Sequence, residues 1–329
     1  MDKVNLLSLR FFGAALLALI CIGGLYQYVS TKLDEYNYPA IGKMVDVGGY
    51  KLHMIDEGTG GPVIVIDAGL GQNSFYWALV YPEIAKFTRV VVVDRAGHNW
   101  SDASPLVRTS ENIVKELHAI LKNGNVPEPY ILVGHSFGGL NVRLYASTYS
   151  DEVAGVVLVD ASHENQNIHF ANMSRFGDTW SDWKTYCERY LGVERFIRQR
   201  AAQQPDWKKS IEMIPEEIQN TYLASRLTSK FMEAKIGEAN NFGLSCDQLQ
   251  LDGGLIGDKP LVVITAGKKK SLTDEKKKAW HDLQTDLVLK SSQGTQVFAE
   301  RSGHNINIEQ PEIIVDVVRK MVEGLRKEK

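Results

Sequence analysis

The sequence predicts an α/β fold, a mostly parallel and doubly wound sheet with a helical cap insertion and an N-terminal transmembrane anchor. Two observations carry the sheet. Apolar runs rich in β-branched residues recur at 63–66, 90–93, 130–133 and 153–159, and stretches with apolar residues at helical spacing separate them. Strands that are apolar at every position are buried on both faces, as they are when helices cover both sides of a parallel sheet. A third observation marks the turn around which the rest is organised. Gly134-His135-Ser136-Phe137-Gly138-Gly139 joins one such run directly to an apolar helical segment.

In chain order, residues 11–26 are uncharged and mostly apolar. With 27–30 counted as interfacial, the stretch reaches the ~20 residues that cross a bilayer as a helix. Lys3 and Arg10 precede it, which predicts a cytoplasmic N-terminus and a single-pass cell-membrane protein with its remaining chain outside. The rival reading is a cleaved signal near Gly23 and Gly24 and a secreted product, but no clean small-x-small site follows. Residues 31–43 are polar and read as a linker. The segments 44–47 and 51–55 alternate around Gly48-Gly49, a hairpin signal. Residues 75–87 read as a helix, and so do 109–123, with Ile113, Leu117, Ile120 and Leu121 on one face and Gly124 ending it. Two more strands are expected at 261–265 and 295–299, with Trp280, Leu283 and Leu287 at helical spacing between them. Pro311 opens a last helix whose apolar face includes Ile314, Val318 and Met321.

Residues 161–255 break the alternation. They are polar and charged, carry Trp180, Trp183 and Trp207, and contain no strong apolar strand. Helices are expected there, placed as a cap over the carboxyl edge of the sheet, where α/β proteins bind ligands. The expected organisation is an anchor at 1–30, a linker at 31–43, a core at 44–160 and 256–329, and the cap between.

The 329 residues are 44% hydrophobic and 23% charged, an ordinary globular balance, and the net charge of −3 gives no electrostatic case for nucleic acid. Cys21, Cys187 and Cys246 form no C-x-x-C pattern, so neither zinc nor dithiol chemistry is indicated. A Cys187–Cys246 disulfide and two free buried thiols are both open readings.

A serine held in a tight strand-to-helix turn takes a strained backbone that lifts its hydroxyl clear of the sheet edge. Glycines at 134 and 138 suit a turn too close-packed for a Cβ. The hydroxyl needs a base, and the base needs an orienting acid. Of the eight histidines, His304 alone follows the last strand and is assigned as the base. His53 and His118 read as surface residues, and His135 is expected to project away from Ser136. Two backbone N–H groups are needed for a developing oxyanion. Phe137, after the nucleophile, supplies one, and Leu70, in the loop Asp67-Ala68-Gly69-Leu70-Gly71, supplies the other.

The loop 67–71, the segment Asp94-Arg95-Ala96-Gly97-His98-Asn99-Trp100-Ser101, the turn 134–139 and Gly303-His304 together resemble the α/β-hydrolase superfamily. The likeness is greatest to its esterase, lipase and cofactor-free haloperoxidase-like branch, and it covers about 44–160 and 256–325. It implies a serine hydrolase that cleaves an ester or related acyl bond through an acyl-serine intermediate, with no metal or organic cofactor. Cap aromatics add the expectation of a small-molecule acyl substrate with an apolar part. Carbon–carbon or amide-bond hydrolysis by the same triad, or a ligand receptor without turnover, are the alternatives. Branches that use an aspartate nucleophile, such as epoxide hydrolases and haloalkane dehalogenases, are disfavoured by Ser136. The family's usual His-Gly at the oxyanion loop is replaced by Ala68-Gly69. The family also carries its acid just after the penultimate strand, where this chain has Gly267-Lys268-Lys269-Lys270. Asp160, at the end of the strand after the nucleophile helix, is taken as the acid, with Asp274 as the alternative.

Overall fold

A computed structural model describes residues 3–170, 180–201, 212, 214–269 and 272–327. The apolar runs form a single sheet of eight strands: β1 (Lys43–Asp46), β2 (Lys51–Glu57), β3 (Val63–Asp67), β4 (Val90–Asp94), β5 (Tyr130–His135), β6 (Val153–Val159), β7 (Leu261–Ala266) and β8 (Gly294–Ala299). Their order is β1-β2-β4-β3-β5-β6-β7-β8. The β1–β2 hairpin and the β2–β4 pair are antiparallel, and all other pairs are parallel. β3, β4 and β5 are buried at every residue. Because side chains alternate along a strand, Val65, Val91 and Leu132 enter the core on one face while Ile66, Val92 and Ile131 enter the core on the other. From β3 the chain goes to β4 on one side and then to β5 on the other. The carboxyl ends of β3 and β5 therefore form a topological switch point, where such sheets open a crevice.

The core helices are α2 (Tyr81–Ala85), α3 (Ser110–Asn123), α4 (Phe137–Thr148), α11 (Asp274–Val288), α12 (Ile306–Glu309) and α13 (Pro311–Lys327). The helix expected over 75–87 is broken into a 3₁₀ turn at Ser74–Trp77 and the short α2, which Pro82 opens in its first turn. Proline there has no N–H to give to a preceding turn, so a helix starts at it and does not run through it.

Between β6 and β7, the regular structure among the described residues is helical: α5 (Gln166–His169), α6 (Trp180–Tyr190), α7 (Val193–Ala201), α8 (Glu216–Arg226), α9 (Ser229–Asn240) and α10 (Phe242–Asp252). Trp207 lies outside the described residues. α10 differs from its neighbours. Its Phe242, Cys246 and Leu249, at helical spacing, join the core beside α3 and α4, so the last helix of the insertion is a layer of the main body. The cysteines are free, with Cys187 exposed and Cys246 buried, which removes the disulfide reading and half of the buried-thiol one.

The N-terminal run is part of α1 (Lys3–Asn37), and Arg10–Asn37 is long and apolar enough to cross a membrane by length and composition. Phe11, Leu16, Leu19 and Ile22 are exposed along it. The linker expected at 31–43 is instead helical as far as Asn37. Its polar residues are used against the insertion. Arg195 on α7 pairs with Asp34 and reaches Gln27 Oε1 at 3.2 Å, and the buried Gln27 donates to the Leu227 carbonyl at 2.7 Å. Gly23 is pressed against Leu191, where a Cβ would come within 2.7 Å of the carbonyl oxygen.

Candidate active site

Ser136 stands between β5 and α4 with φ +52° and ψ −120°, outside the basins an L-residue prefers. The conformation is imposed from all sides. The Ser136 N–H donates to the Val159 carbonyl at 3.2 Å, and its own carbonyl accepts from Gly139 and Ser162, each at 2.9 Å. A Cβ on Gly134 would lie 2.5 Å from the Val142 side chain, and one on Gly138 would lie 2.3 Å from the Asp67 carbonyl. Closeness of backbone, not a positive φ, is thus what requires glycine at both places.

Three sequence-selected residues meet at the sheet edge. Ser136 Oγ is 3.0 Å from His304 Nε2, and His304 Nδ1 is 2.5 Å from Asp160 Oδ2. Asp160 follows β6 with φ +40°, and its other oxygen accepts from Trp280 Nε1 at 2.9 Å and from the Ala266 N–H at 3.2 Å. Burial by itself would raise the Asp160 pKa. The hydrogen bond and charge of His304, together with the Lys269 ammonium, outweigh it and hold the carboxyl well below the usual carboxylate range. Asp274 takes no part. It is the first residue of α11, 97% exposed, paired with Lys277 and preceded by the capping residue Thr273. In the lysine run, Lys269 pairs with Asp160 and lies over the Trp280 ring, 4.4 Å from its centroid.

His53, His118 and His135 have other partners. His53 is fully buried, 2.7 Å from Asp94 Oδ2 and packed on Trp100, so the surface reading fails there; the segment from Asp94 to Ser101 lies against it, with Ser101 Oγ accepting from the His53 N–H at 2.8 Å. His118 is part-buried, stacked on Tyr149 and 3.1 Å from Glu152. His135 does turn from the Ser136 hydroxyl, but toward a use that the sequence did not suggest. Its Nε2 is 2.8 Å from the His304 carbonyl oxygen, and its Nδ1 is 2.9 Å from Gln72 Oε1. A carbonyl oxygen only accepts, so the ring donates there and holds the backbone of His304.

Burial lowers the His135 pKa from 6.5 to about 3. The sign for stability follows. The unfolded chain takes up this proton first as pH falls below 6.5, so stability is lost progressively from there down toward 3. The limiting slope is about 1.4 kcal/mol per pH unit for one proton. Urea unfolding at several pH values between neutral and mildly acid is expected to register this loss, with a shallower slope in His135→Gln. An identical slope in the folded variant would rule out His135 as its source.

Phe137 opens α4, and the loop carrying Leu70 lies against the same turn, since the Asp67 and Ala68 carbonyls crowd Gly138. Among the described residues, the backbone N–H groups of Leu70 and Phe137 donate to no protein acceptor. No group of three or more His, Cys, Asp or Glu side chains among the described residues is arranged to hold a metal ion.

Comparison with known proteins gives the same outline. A family model described as the alpha/beta hydrolase fold matches residues 61–311. The chain is 26% identical to the uncharacterized protein YqjL of Bacillus subtilis over 258 residues, covering 78% of this chain and 82% of that one. The match spans 52% of the uncharacterized protein YbdG of Bacillus subtilis and 42% and 36% of two longer curated relatives. Among solved structures, the epoxide hydrolase CorEH superimposes with a TM-score of 0.63 at 16% identity, over 86% of this chain and 98% of that one. A thermophilic esterase from Thermogutta terrifontis superimposes with a TM-score of 0.56 at 21% identity, over 87% of this chain and 98% of that one. At such identities these two likenesses speak for the fold alone.

Proposed function

The chain belongs to the α/β hydrolase fold family, and from that premise we propose that it is a serine hydrolase acting on an ester or related acyl bond. The observation that carries the reading is the hydrogen-bonded series Ser136–His304–Asp160, at 3.0 and 2.5 Å, on the carboxyl edge of the sheet. His304 Nε2 takes the proton of Ser136 as Oγ attacks the acyl carbon. Asp160 stays ionised and holds the Nδ1–H tautomer and then the imidazolium. The Leu70 and Phe137 N–H groups receive the oxyanion. Collapse expels the alcohol, which leaves with the proton from His304, and water repeats the sequence on the acyl-serine. A serine at the nucleophile position supports this chemistry over the aspartyl-ester route. The aromatic residues of the insertion support a substrate with an apolar part.

The test is a series of nitrophenyl esters from short to long acyl chains, given to the full chain in detergent, alongside fluorophosphonate labelling. Multiple turnovers and labelling at Ser136 are expected. Labelling without turnover on any ester would favour a ligand receptor instead.

The proposal extends to location. α1 is read as a single-pass anchor through residues 11–30, with the catalytic body outside the cytoplasm; Lys3 and Arg10 before the apolar run support that orientation. The protein is expected to stay with membranes through carbonate extraction, and protease added to intact cells is expected to reach the catalytic body. A soluble mature chain beginning after Gly23 or Gly24 would mean a cleaved signal.

A further inference from the structure

We infer that Glu238, on insertion helix α9, and Arg95, just past β4, form a positioning pair that sets the direction of the Leu70 N–H and so builds half of the oxyanion hole. The inference rests on the serine-hydrolase reading above. A loop with glycines at 69 and 71 has free peptide planes of its own, so something else must fix them.

Arg95 is 4% exposed and Glu238 wholly buried. The guanidinium donates to the Ala68 carbonyl at 2.6 Å, the Gly69 carbonyl at 2.7 Å and Asp67 Oδ1 at 2.6 Å. Its remaining donors go to Glu238, at 2.7 Å from Nε and 3.1 Å from Nη2. Glu238 in turn accepts from the Gly71 N–H at 3.0 Å and lies 3.0 Å from His98 Nε2. Arg226, at the end of α8, donates to the Gly71 carbonyl at 3.2 Å.

The peptide geometry makes these bonds decisive. The Gly69 carbonyl and the Leu70 N–H belong to one planar trans peptide and point in opposite directions. Holding the carbonyl on Arg95 therefore aims the N–H away from the guanidinium. The next peptide is fixed the same way, through the Gly71 N–H on Glu238. Leu70 is thus held on both sides by groups that touch neither Ser136 nor His304. The same guanidinium lies over the Phe137 ring, 5.4 Å from its centroid, so one cation braces the residues of both donors. A donor fixed before the reaction costs no reorganisation when charge develops.

The test compares wild type, Glu238→Gln and Arg95→Lys, each checked for folding by thermal unfolding. Glu238→Gln removes the charge that holds Arg95, and Arg95→Lys keeps a cation but loses the fork that spans both carbonyls. Losing a whole oxyanion donor costs about 10²–10³-fold. Misaiming one is expected to lower kcat by roughly 10–10²-fold with KM within about threefold. A trifluoromethyl ketone analogue, which forms a tetrahedral adduct on Ser136, is expected to lose affinity in parallel with kcat/KM, and the double variant is expected to lose less than the product of the singles. A folded variant with wild-type kcat, a loss carried by KM alone, or unchanged affinity for the ketone would overturn the inference while leaving the triad intact. A wild type that neither turns over esters nor labels would overturn the hydrolase reading and this inference with it.

Discussion

Ser136→Ala is expected to lower ester turnover by about 10⁶-fold and to abolish covalent labelling, while the thermal midpoint moves little. The large chemical effect and the small structural one have separate origins. Every bond that holds the turn in its strained conformation is made by the Ser136 backbone, to Val159, Gly139 and Ser162, and alanine keeps all of them. The hydroxyl contributes one hydrogen bond, to His304, at a place open to substrate. Residual rate would come from the oxyanion donors and binding alone. Kinetics with a short-chain nitrophenyl ester, and fluorophosphonate labelling of the folded variant, decide the matter. Wild-type turnover in a folded Ser136→Ala protein would remove this residue from the mechanism.

Asp160→Asn is expected to cost about 10⁴-fold in turnover, because an amide no longer enforces the tautomer in which Nε2 is free to accept the serine proton. It is also expected to lower stability, since Lys269, only 14% exposed, loses the carboxylate it is paired with. The two effects can be separated. Asp160→Asn combined with Lys269→Met removes the orphaned cation, so the double variant should recover thermal midpoint and not turnover. Asp274→Asn alters a solvated side chain at a helix start and is expected to stay within about twofold in rate with little change in thermal midpoint. An inactive Asp274→Asn beside a normal Asp160→Asn would reverse the assignment.

The residues legible in the sequence were those whose chemistry is local. Ser136 announces itself through the glycines two residues to either side, and His304 through its position after the last strand. Asp160 was legible only as a strand end, because what makes it suitable comes from Trp280 and Ala266 on distant segments. Lys269 looked like an empty acid slot; its use as a counter-charge exists only once β7 is laid beside β6. Nothing near Arg95 points to Glu238, 143 residues away, and the insertion in which Glu238 lies was read as a polar cover. The errors share one cause. His53, read as a surface residue, and Thr31 and Asp34, read as part of a polar linker, have buried partners in the fold, Asp94 for the one and Arg195 for the others.

The contact of α1 with the insertion sets a practical limit on cutting the protein. A soluble catalytic fragment would naturally be started near residue 36, past the apolar stretch of α1. That cut removes Gln27, Thr31 and Asp34 together, which are the groups that Arg195 reaches, and leaves a guanidinium now 2% exposed without them. It also bares the groove at Leu191 and Gly192 in which Gly23 and Tyr26 are seated. A fragment intended to keep its insertion in place should retain the helix from about Gly23 and exchange its outward apolar residues for polar ones, so that solubility is gained on the face that packs against nothing in the protein.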